Sequence, residues 1–179
     1  MFTKVCGLTT TAQIDQAIEY GYDAIGVVTY IKSKRHCPPA KAVELARYAG
    51  DRIQRFVVGL SYSDVAEAAH AFDYIQIYEA KQAPNLAFSS REKPPAGLAY
   101  AYFVYDASIG SGVFREFPEW IKTSSDRILI AGGLTKDNVC HVILDLQPFG
   151  VDVSSGVEKN GVKDPAMMKA FIDTVRSCS

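Results

Sequence analysis

The sequence lacks every kind of long, uniform stretch that would place it in a special class of protein. No apolar run of about 18 residues is present, so a membrane-spanning helix is not predicted, and there is no N-terminal signal pattern. There is no long basic run or stripe and the formal net charge is −1, so neither nucleic acid nor a membrane surface is expected as a partner. With no linker or low-complexity segment, we predict one cytoplasmic domain over residues 1–179.

Cysteine and histidine are also scarce, with four and three residues respectively. Cys6, Cys37, Cys140 and Cys178 form no Cys-x-x-Cys pair, so neither a zinc site nor a disulfide framework is expected. We therefore predict reduced thiols, of which Cys37, Cys140 and Cys178 are structural or surface residues.

The sequence does contain short apolar runs that alternate with helical patterns. KVCGLT at residues 4–9 is an apolar run that breaks at a Gly-Leu-Thr turn, and AIGVV at residues 24–28 is typical of a strand buried on both faces. Apolar spacing and capping residues predict helices over residues 10–20, 39–46 and 63–71, the last capped by Ser63. The alternation predicts an α/β protein with parallel strands.

Eight strands can be counted along the whole chain. Their predicted ranges are residues 4–6, 23–29, 55–60, 73–78, 86–89, 99–106, 128–131 and 151–153. Eight strands alternating with helices predict a (β/α)8 barrel of the TIM type. Residues 79–85 and 90–98 are too short to hold crossover helices, so we expect a trimmed barrel that lacks regular helices after strands 4 and 5. A short helix is predicted for residues 117–121. A helix capped by Thr135 is predicted to run through Val139 to Leu146, and a closing helix that starts at Asp164 and Pro165 is predicted over residues 166–175.

The missing helices would leave apolar side chains uncovered. If Gln76 and Asp106 face the barrel interior, alternation sends Ile75, Ile77 and Phe103 outward. We call the outward faces of strands four to six the strand 4–6 wall. An exposed apolar wall predicts either a homo-oligomer formed through it or a loop folded over it.

Several strands end in residues that can carry chemistry, and in such a barrel these ends meet at one rim. A thiol and a carboxyl at this rim can serve as base and acid, and the two loops rich in glycine and serine can bind phosphate through backbone N–H groups. This arrangement predicts proton transfer on a small phosphorylated substrate. The candidate residues are Cys6, Arg35, Asp106, Gly132, Gly133, Ser154, Ser155 and Gly156.

Five motifs, in chain order, resemble those of the phosphoribosylanthranilate isomerase family. They are KVCGLT at 4–9, KSKR at 32–35, Asp106 with GSG at 110–112, AGGLT at 131–135 followed by Asn138, and GVDVSSGVE at 150–158 followed by GVKD at 161–164. The resemblance implies a TIM barrel that catalyses an Amadori rearrangement in tryptophan biosynthesis, without cofactor or metal. It further implies Cys6 as general base, Asp106 as general acid and Arg35 as the partner of the anthranilate carboxylate, with Gln76 among the substrate-binding residues.

The residue types suit that chemistry. Asp106 would give a proton to the furanose ring oxygen and open the ring to a Schiff base, and Cys6, as thiolate, would remove the C2′ proton. Because a free thiol has a pKa of about 8.5, we expect nearby positive charge to lower the pKa of Cys6. The planar guanidinium of Arg35 suits bidentate carboxylate binding.

The chain departs from the family pattern at two positions, and two other functions stay open. The family has a histidine two residues after the fourth-strand glutamine where this chain has Tyr78, and its Ser-Pro-Arg loop reads Ser-Lys-Arg at residues 33–35. One alternative is a related isomerase of histidine biosynthesis, which uses an aspartate in place of Cys6. The other is a barrel that only binds a phosphorylated metabolite or a protein partner. The joint presence of Cys6, Arg35 and Asp106 favours the isomerase.

Overall fold

A computed structural model of the chain describes residues 1–106, 117–124 and 126–179. Eight parallel strands pair in sequence order, and the last pairs with the first, so the sheet closes into a barrel. The strands are β1 (Phe2–Cys6), β2 (Ala24–Val28), β3 (Gln54–Val58), β4 (Tyr74–Ile77), β5 (Leu86–Ser90), β6 (Tyr102–Asp106), β7 (Ile128–Ala131) and β8 (Gly150–Val153). The predicted barrel is confirmed, although β2, β3, β4 and β6 are shorter than predicted.

Local capping signals determine where most helices begin and end. The helices are α1 (Thr11–Tyr20), α2 (Pro39–Ala49), α3 (Tyr62–Val65), α4 (Val139–Leu146) and α5 (Pro165–Cys178). The hydroxyl of Thr10 accepts from the Gln13 amide at 3.3 Å, and α1 ends at Gly21 with φ of 85°. The Asp164 carboxylate accepts from the Met167 amide at 2.9 Å and caps α5.

Two predicted helix starts are wrong. The helix expected from Ser63 through Ala71 is one α turn, α3, and a separate 3-10 helix at Ala69–Ala71. It begins earlier because the Asp64 carboxylate accepts the amides of Leu60 and Ser61 at 3.0 and 2.8 Å. Thr135 does not cap α4 directly. Its amide donates to Asn138 Oδ1 at 2.8 Å, closing a turn before the helix begins.

No helix follows β4 or β5 among the described residues, as predicted, and the strand 4–6 wall is covered by the chain's own loops. Ile75, Ile77 and Phe103 have 6%, 0% and 0% of their surface exposed. The ring of Phe103 packs against Trp120 and Tyr100, with centroids 5.8 and 6.1 Å apart. The wall was predicted either to form a homo-oligomer or to be covered by a loop, and the structure shows that the chain's own loops cover it.

The segments that cover the wall are irregular. The side-chain amide of Gln82 links the β4–β5 connection to the β5–β6 connection. It donates a hydrogen bond to the Ala99 carbonyl and accepts one from the Ala99 backbone amide, both at 3.3 Å. The helix predicted at 117–121 is a single 3-10 turn, Glu119–Ile121. The predicted loop containing Gly110, Ser111 and Gly112 lies outside the described residues.

Aromatic rings fill the N-terminal end of the barrel interior. Phe56 and Tyr74 stack with centroids 4.7 Å apart, and Tyr102 contacts Tyr74 edge-on at 5.0 Å and Phe2 at 5.5 Å. These inward residues alternate with outward ones along each strand, as the barrel requires. A packed lower half leaves the C-terminal rim as the place where ligands can enter.

The structure adds two features that the sequence analysis did not predict. A two-stranded antiparallel hairpin, β9 (Glu158–Lys159) and β10 (Val162–Lys163), follows β8. Cys140 and Cys178 form a disulfide between α4 and α5, with Cα atoms 5.5 Å apart, so the prediction of reduced thiols is wrong for this pair. The two helices pack together in space although the cysteines lie 38 residues apart in sequence. None of the described helices is both long and apolar enough to span a bilayer.

Candidate active site

Cys6 lies at the C-terminal end of β1, where the chain turns sharply. The amides of Gly7 and Leu8 both donate to the Gly26 carbonyl, at 2.8 and 3.0 Å, and Gly7 has φ of 84°, a conformation that favours glycine. A Cβ atom at Gly26 would lie 2.7 Å from Cys6 Sγ and 3.2 Å from Lys4 Nζ. The glycine on β2 therefore provides the space that the thiol and the ammonium occupy.

Lys4 places a buried positive charge beside this thiol. Its side chain has no exposed surface, and Nζ donates to Asp152 Oδ2 across the β1–β8 pair at 2.9 Å. Burial lowers the pKa of Lys4, but the charges of Asp152 and Cys6 outweigh burial and leave its pKa raised. Lys4 and Asp152 therefore form a buried ion pair directly beside the thiol.

The thiol of Cys6 does not have the lowered pKa that was expected. Burial raises the pKa of Cys6, and the opposing charge of Lys4, with smaller contributions from Lys163 and Arg35, does not fully offset it. The expected positive charge is present, but the net direction was predicted wrongly because the thiol is 8% exposed. Lys4 is therefore the main group that opposes the effect of burial on the pKa of Cys6.

Asp106 ends β6 and is held by a residue that the sequence analysis had marked as a departure. The Tyr78 hydroxyl donates to Asp106 Oδ2 at 2.5 Å. Burial, followed by the charge of Asp106, raises the pKa of the Tyr78 phenol, so it remains a donor. Tyr78 follows β4, whose Gln76 faces the interior and is 3% exposed; Gln76 Oε1 makes no hydrogen bond within the described part of the chain.

Arg35 reaches the same rim from the loop between β2 and α2. Its amide donates to Ser33 Oγ at 3.1 Å, so this loop is closed by a side chain where the family has a proline. The guanidinium forms a bidentate pair with Glu158, from Nε to Oε1 at 2.6 Å and from Nη2 to Oε2 at 2.8 Å. A Cβ atom at Gly7 would lie 2.4 Å from Arg35 Cδ, so the side chain packs directly on the β1 turn.

Two further residues at this rim, Glu158 and Lys163, were not predicted as site residues from the sequence. The β9–β10 register pairs these two residues directly across the hairpin, and Lys163 Nζ donates to Glu158 Oε1. Lys163 Nζ also donates to the Ser154 carbonyl at 3.0 Å. The Asn160–Gly161 pair, a strong hairpin signal, was the feature that could have revealed this arrangement.

The two loops rich in small residues meet after β7 and β8. Gly132 and Gly133 have φ of 93° and 74°, and the Asn138 side chain donates to the Gly133 carbonyl at 2.9 Å. A Cβ atom at Gly156 would lie 1.8 Å from the Leu134 carbonyl oxygen, so the loops touch at a point where only glycine fits.

Ser154 connects the second of these loops to β1, because its hydroxyl donates to the Cys6 carbonyl at 2.9 Å. Ser155 and Gly156 lie in the short 3-10 helix Ser155–Val157 that follows. All the predicted site residues thus lie on the barrel interior or on its C-terminal rim. Within the described ranges, no group of three histidine, cysteine or acidic side chains is arranged to hold a metal ion.

Comparisons with known proteins give a consistent result. A family model described as N-(5'-phosphoribosyl)anthranilate (PRA) isomerase matches residues 104–174. The N-(5'-phosphoribosyl)anthranilate isomerase of Listeria welshimeri is 35% identical over 205 aligned positions, covering 98% of each chain. That of Ralstonia nicotianae is 32% identical and covers 97% of this chain and 91% of its own. The alignment to the Listeria protein is longer than the 179 residues present here, so that relative contains residues that this chain lacks.

Solved structures show the same similarity. TrpF from Jonesia denitrificans superposes with a TM-score of 0.84 at 32% identity and covers 99% of this chain and 98% of its own. A phosphoribosyl anthranilate isomerase in complex with reduced 1-(O-carboxyphenylamino)-1-deoxyribulose 5-phosphate shares the fold, with a TM-score of 0.75 at 23% identity and 99% coverage of each chain.

Proposed function

This chain belongs to the N-(5'-phosphoribosyl)anthranilate isomerase family, and we propose that its site performs the family's reaction with Cys6 as general base and Asp106 as general acid. The protein is an isomerase of tryptophan biosynthesis that converts N-(5'-phosphoribosyl)anthranilate to 1-(2-carboxyphenylamino)-1-deoxyribulose 5-phosphate by an Amadori rearrangement. The observation that supports these roles best is a thiol beside a buried ammonium, at the same barrel rim as a carboxyl held by a tyrosine.

The reaction needs two proton transfers. Asp106 donates a proton to the furanose ring oxygen, the C1′–O bond breaks, and a Schiff base forms between C1′ and the anthranilate nitrogen. Cys6, as thiolate, then removes the C2′ proton to give an enolamine, which tautomerises to the ketone. Lys4 favours the thiolate because, of the positively charged groups near Cys6, it lowers the pKa of the thiol most.

The remaining candidate residues would hold the two charged ends of the substrate. Arg35 lies at the rim with its side chain partly exposed, and its planar guanidinium suits the anthranilate carboxylate. The touching loops that contain Gly132, Gly133, Ser154, Ser155 and Gly156 would bind the phosphate through backbone N–H groups, because glycine at these positions lets a ligand approach the main chain. Gln76, inside the barrel, would contact the sugar.

The test follows the loss of fluorescence of freshly prepared phosphoribosylanthranilate. We expect Cys6→Ala and Asp106→Asn each to lower kcat by about a thousandfold or more, since each removes a group that transfers a proton. Cys37→Ala is the matched control, because Cys37 is also a buried free thiol, and it should retain full activity. Activity retained by folded Cys6→Ala or Asp106→Asn protein would contradict the assigned roles.

A further inference from the structure

Four side chains form a continuous polar chain from the rim to the β8 loop. Arg35 donates twice to Glu158, Glu158 accepts from Lys163, and Lys163 donates to the carbonyl and hydroxyl of Ser154 at 3.0 and 3.2 Å. Lys163 and Glu158 side chains are 1% and 8% exposed, whereas Arg35 is 22% exposed. Lys163 and Glu158 are therefore buried, and Arg35 is the most exposed of these three charged side chains.

The β9–β10 hairpin holds these hydrogen-bonded side chains rigidly in place. The cross-strand register places Glu158 and Lys163 on the same face of β9–β10, and the Asp164 amide donates to the Val157 carbonyl at 2.9 Å just beyond it. On its other side, the aliphatic part of Arg35 is stopped by Gly7. The guanidinium thus has one packed position rather than many.

That position leaves one edge of the guanidinium for a ligand. Glu158 uses Nε and Nη2, and Nη1 makes no hydrogen bond to any residue that the structure describes. A guanidinium can bind a carboxylate at each of two edges. The unused edge is formed by Nη1 and the second N–H of Nη2, and it belongs to the most exposed member of the chain.

The charges also favour a second carboxylate at this edge. Arg35 paired with Glu158 alone would be neutral, and Glu158 would repel an incoming anion. Lys163 adds a positive charge, so the three ionised side chains together carry a net charge of +1. Burial lowers the pKa of Lys163, and its hydrogen bond to Glu158 and the charge of Glu158 oppose this effect. Burial raises the pKa of Glu158, but the hydrogen bonds from Arg35 and Lys163 outweigh burial and hold its pKa below the usual range.

We propose that Glu158 is a positioning residue, supported by Lys163, which fixes Arg35 so that its unused edge selects substrates carrying a carboxylate. This inference rests on the proposed role of Arg35 in binding the anthranilate carboxylate. It gives the β9–β10 hairpin a function in substrate specificity. Glu158 need not touch the substrate or the reacting atoms.

The test compares two substrates, phosphoribosylanthranilate and the aniline analogue that lacks the carboxylate. We expect Glu158→Gln to raise KM for phosphoribosylanthranilate by about tenfold or more, with kcat changed by less than about threefold, because a charge-assisted positioning contact is lost. For the aniline analogue, kcat/KM should be the same in wild type and variant. Lys163→Gln should show the same pattern, and Glu119→Gln, which changes an exposed surface glutamate, should show none of it.

A further variant, Arg35→Gln, separates failure of this inference from failure of the proposed function. If Arg35→Gln lowers kcat/KM equally for both substrates, the carboxylate role of Arg35 is wrong. If it abolishes the preference for the carboxylate but neither Glu158→Gln nor Lys163→Gln weakens that preference, Arg35 acts alone and the positioning role is overturned. A loss of activity toward both substrates in all folded hairpin variants, judged by circular dichroism, would assign the hairpin a purely structural role and also overturn the proposal.

Discussion

At the scale of single residues, Lys4 shows how a side chain that cannot reach solvent still affects proton transfer. It is paired with Asp152 and lies against the Cys6 thiol, and its ammonium also sits over the Phe56 ring at 5.4 Å. A buried charge is strongly destabilising unless it is paired. The pairing with Asp152 therefore keeps the Lys4 ammonium charged, and the charged ammonium lowers the pKa of the Cys6 thiol.

Lys4→Met should shift the pH dependence of catalysis. Since Lys4 lowers the pKa of Cys6, its removal raises that pKa further, and the ascending limb of kcat/KM against pH should move up by about one pH unit or more. Activity should fall most at neutral pH and recover partly in alkaline buffer. The thiolate absorbance of Cys6, titrated in a Cys37→Ser background, should move with it.

A charge-removal variant elsewhere on the molecule controls this experiment. Lys41→Met removes the charge that lowers the pKa of Cys37 and should leave the activity profile unchanged. An unshifted limb in folded Lys4→Met protein would show that Lys4 does not act on the base.

Tyr78 provides a second residue-scale prediction. Tyr78→Phe keeps the ring but removes the 2.5 Å hydrogen bond to Asp106, so kcat should fall by about tenfold, whereas KM should hardly change because the ring still fills the same space. Tyr78→His, which restores a polar donor, should recover part of kcat. Tyr62→Phe, on the outer face of the barrel, should have no effect; a rise in KM alone in Tyr78→Phe would indicate a binding role instead.

At the scale of elements, the strand 4–6 wall shows that aromatic side chains on irregular loops can replace two helices. Trp120 lies on a single 3-10 turn and contacts both Phe103 and Tyr105, with centroids 5.8 and 5.9 Å apart. Phe117 covers Tyr105 from the same segment, at 5.8 Å. Large rings bury much apolar surface per residue, so a short segment can close a wide face.

Trp120→Ala should therefore destabilise the barrel by about 2–4 kcal/mol and expose apolar surface on β6. Urea unfolding should measure the first effect, and light scattering at increasing protein concentration should detect the self-association that an open wall invites. Leu144→Ala, which truncates a side chain that is 68% exposed on α4, is the control and should change neither. A Trp120→Ala protein of unchanged stability would show that the wall is held by other contacts.

At the scale of the whole molecule, the barrel could be predicted from sequence because each strand is a local apolar run bounded by turns. Cys6, Arg35 and Asp106 could be placed at one rim for the same reason, since the carboxyl ends of parallel strands share an edge. The contacts that tune them could not be predicted. Lys4 and Asp152 are 148 residues apart, and Arg35 and Glu158 are 123 apart, so no local pattern links them.

Elements with weak local signals were also predicted poorly. The third helix was expected to be long because Val65, Ala68 and Ala71 have helical spacing, but hydrogen bonds from Ala68 to Val65 and from Ala71 to Ala68 bridge three residues rather than four. The disulfide between Cys140 and Cys178 depends on how α4 and α5 pack. Local helix propensity favours neither outcome strongly in such cases, and tertiary contacts then determine the structure that forms.

The pairing of β1 with β8 also affects how the protein is made. A ribosome synthesises β1 well before β8, and in the interval between them Lys4 has no Asp152, Cys6 has no Ser154, and Arg35 has no Glu158. Such long-range contacts form late and slowly. The nascent polypeptide therefore carries the Cys6 thiol long before the residues that surround it in the active site are present. A complete active site forms only once β8 and the β9–β10 hairpin have been synthesised.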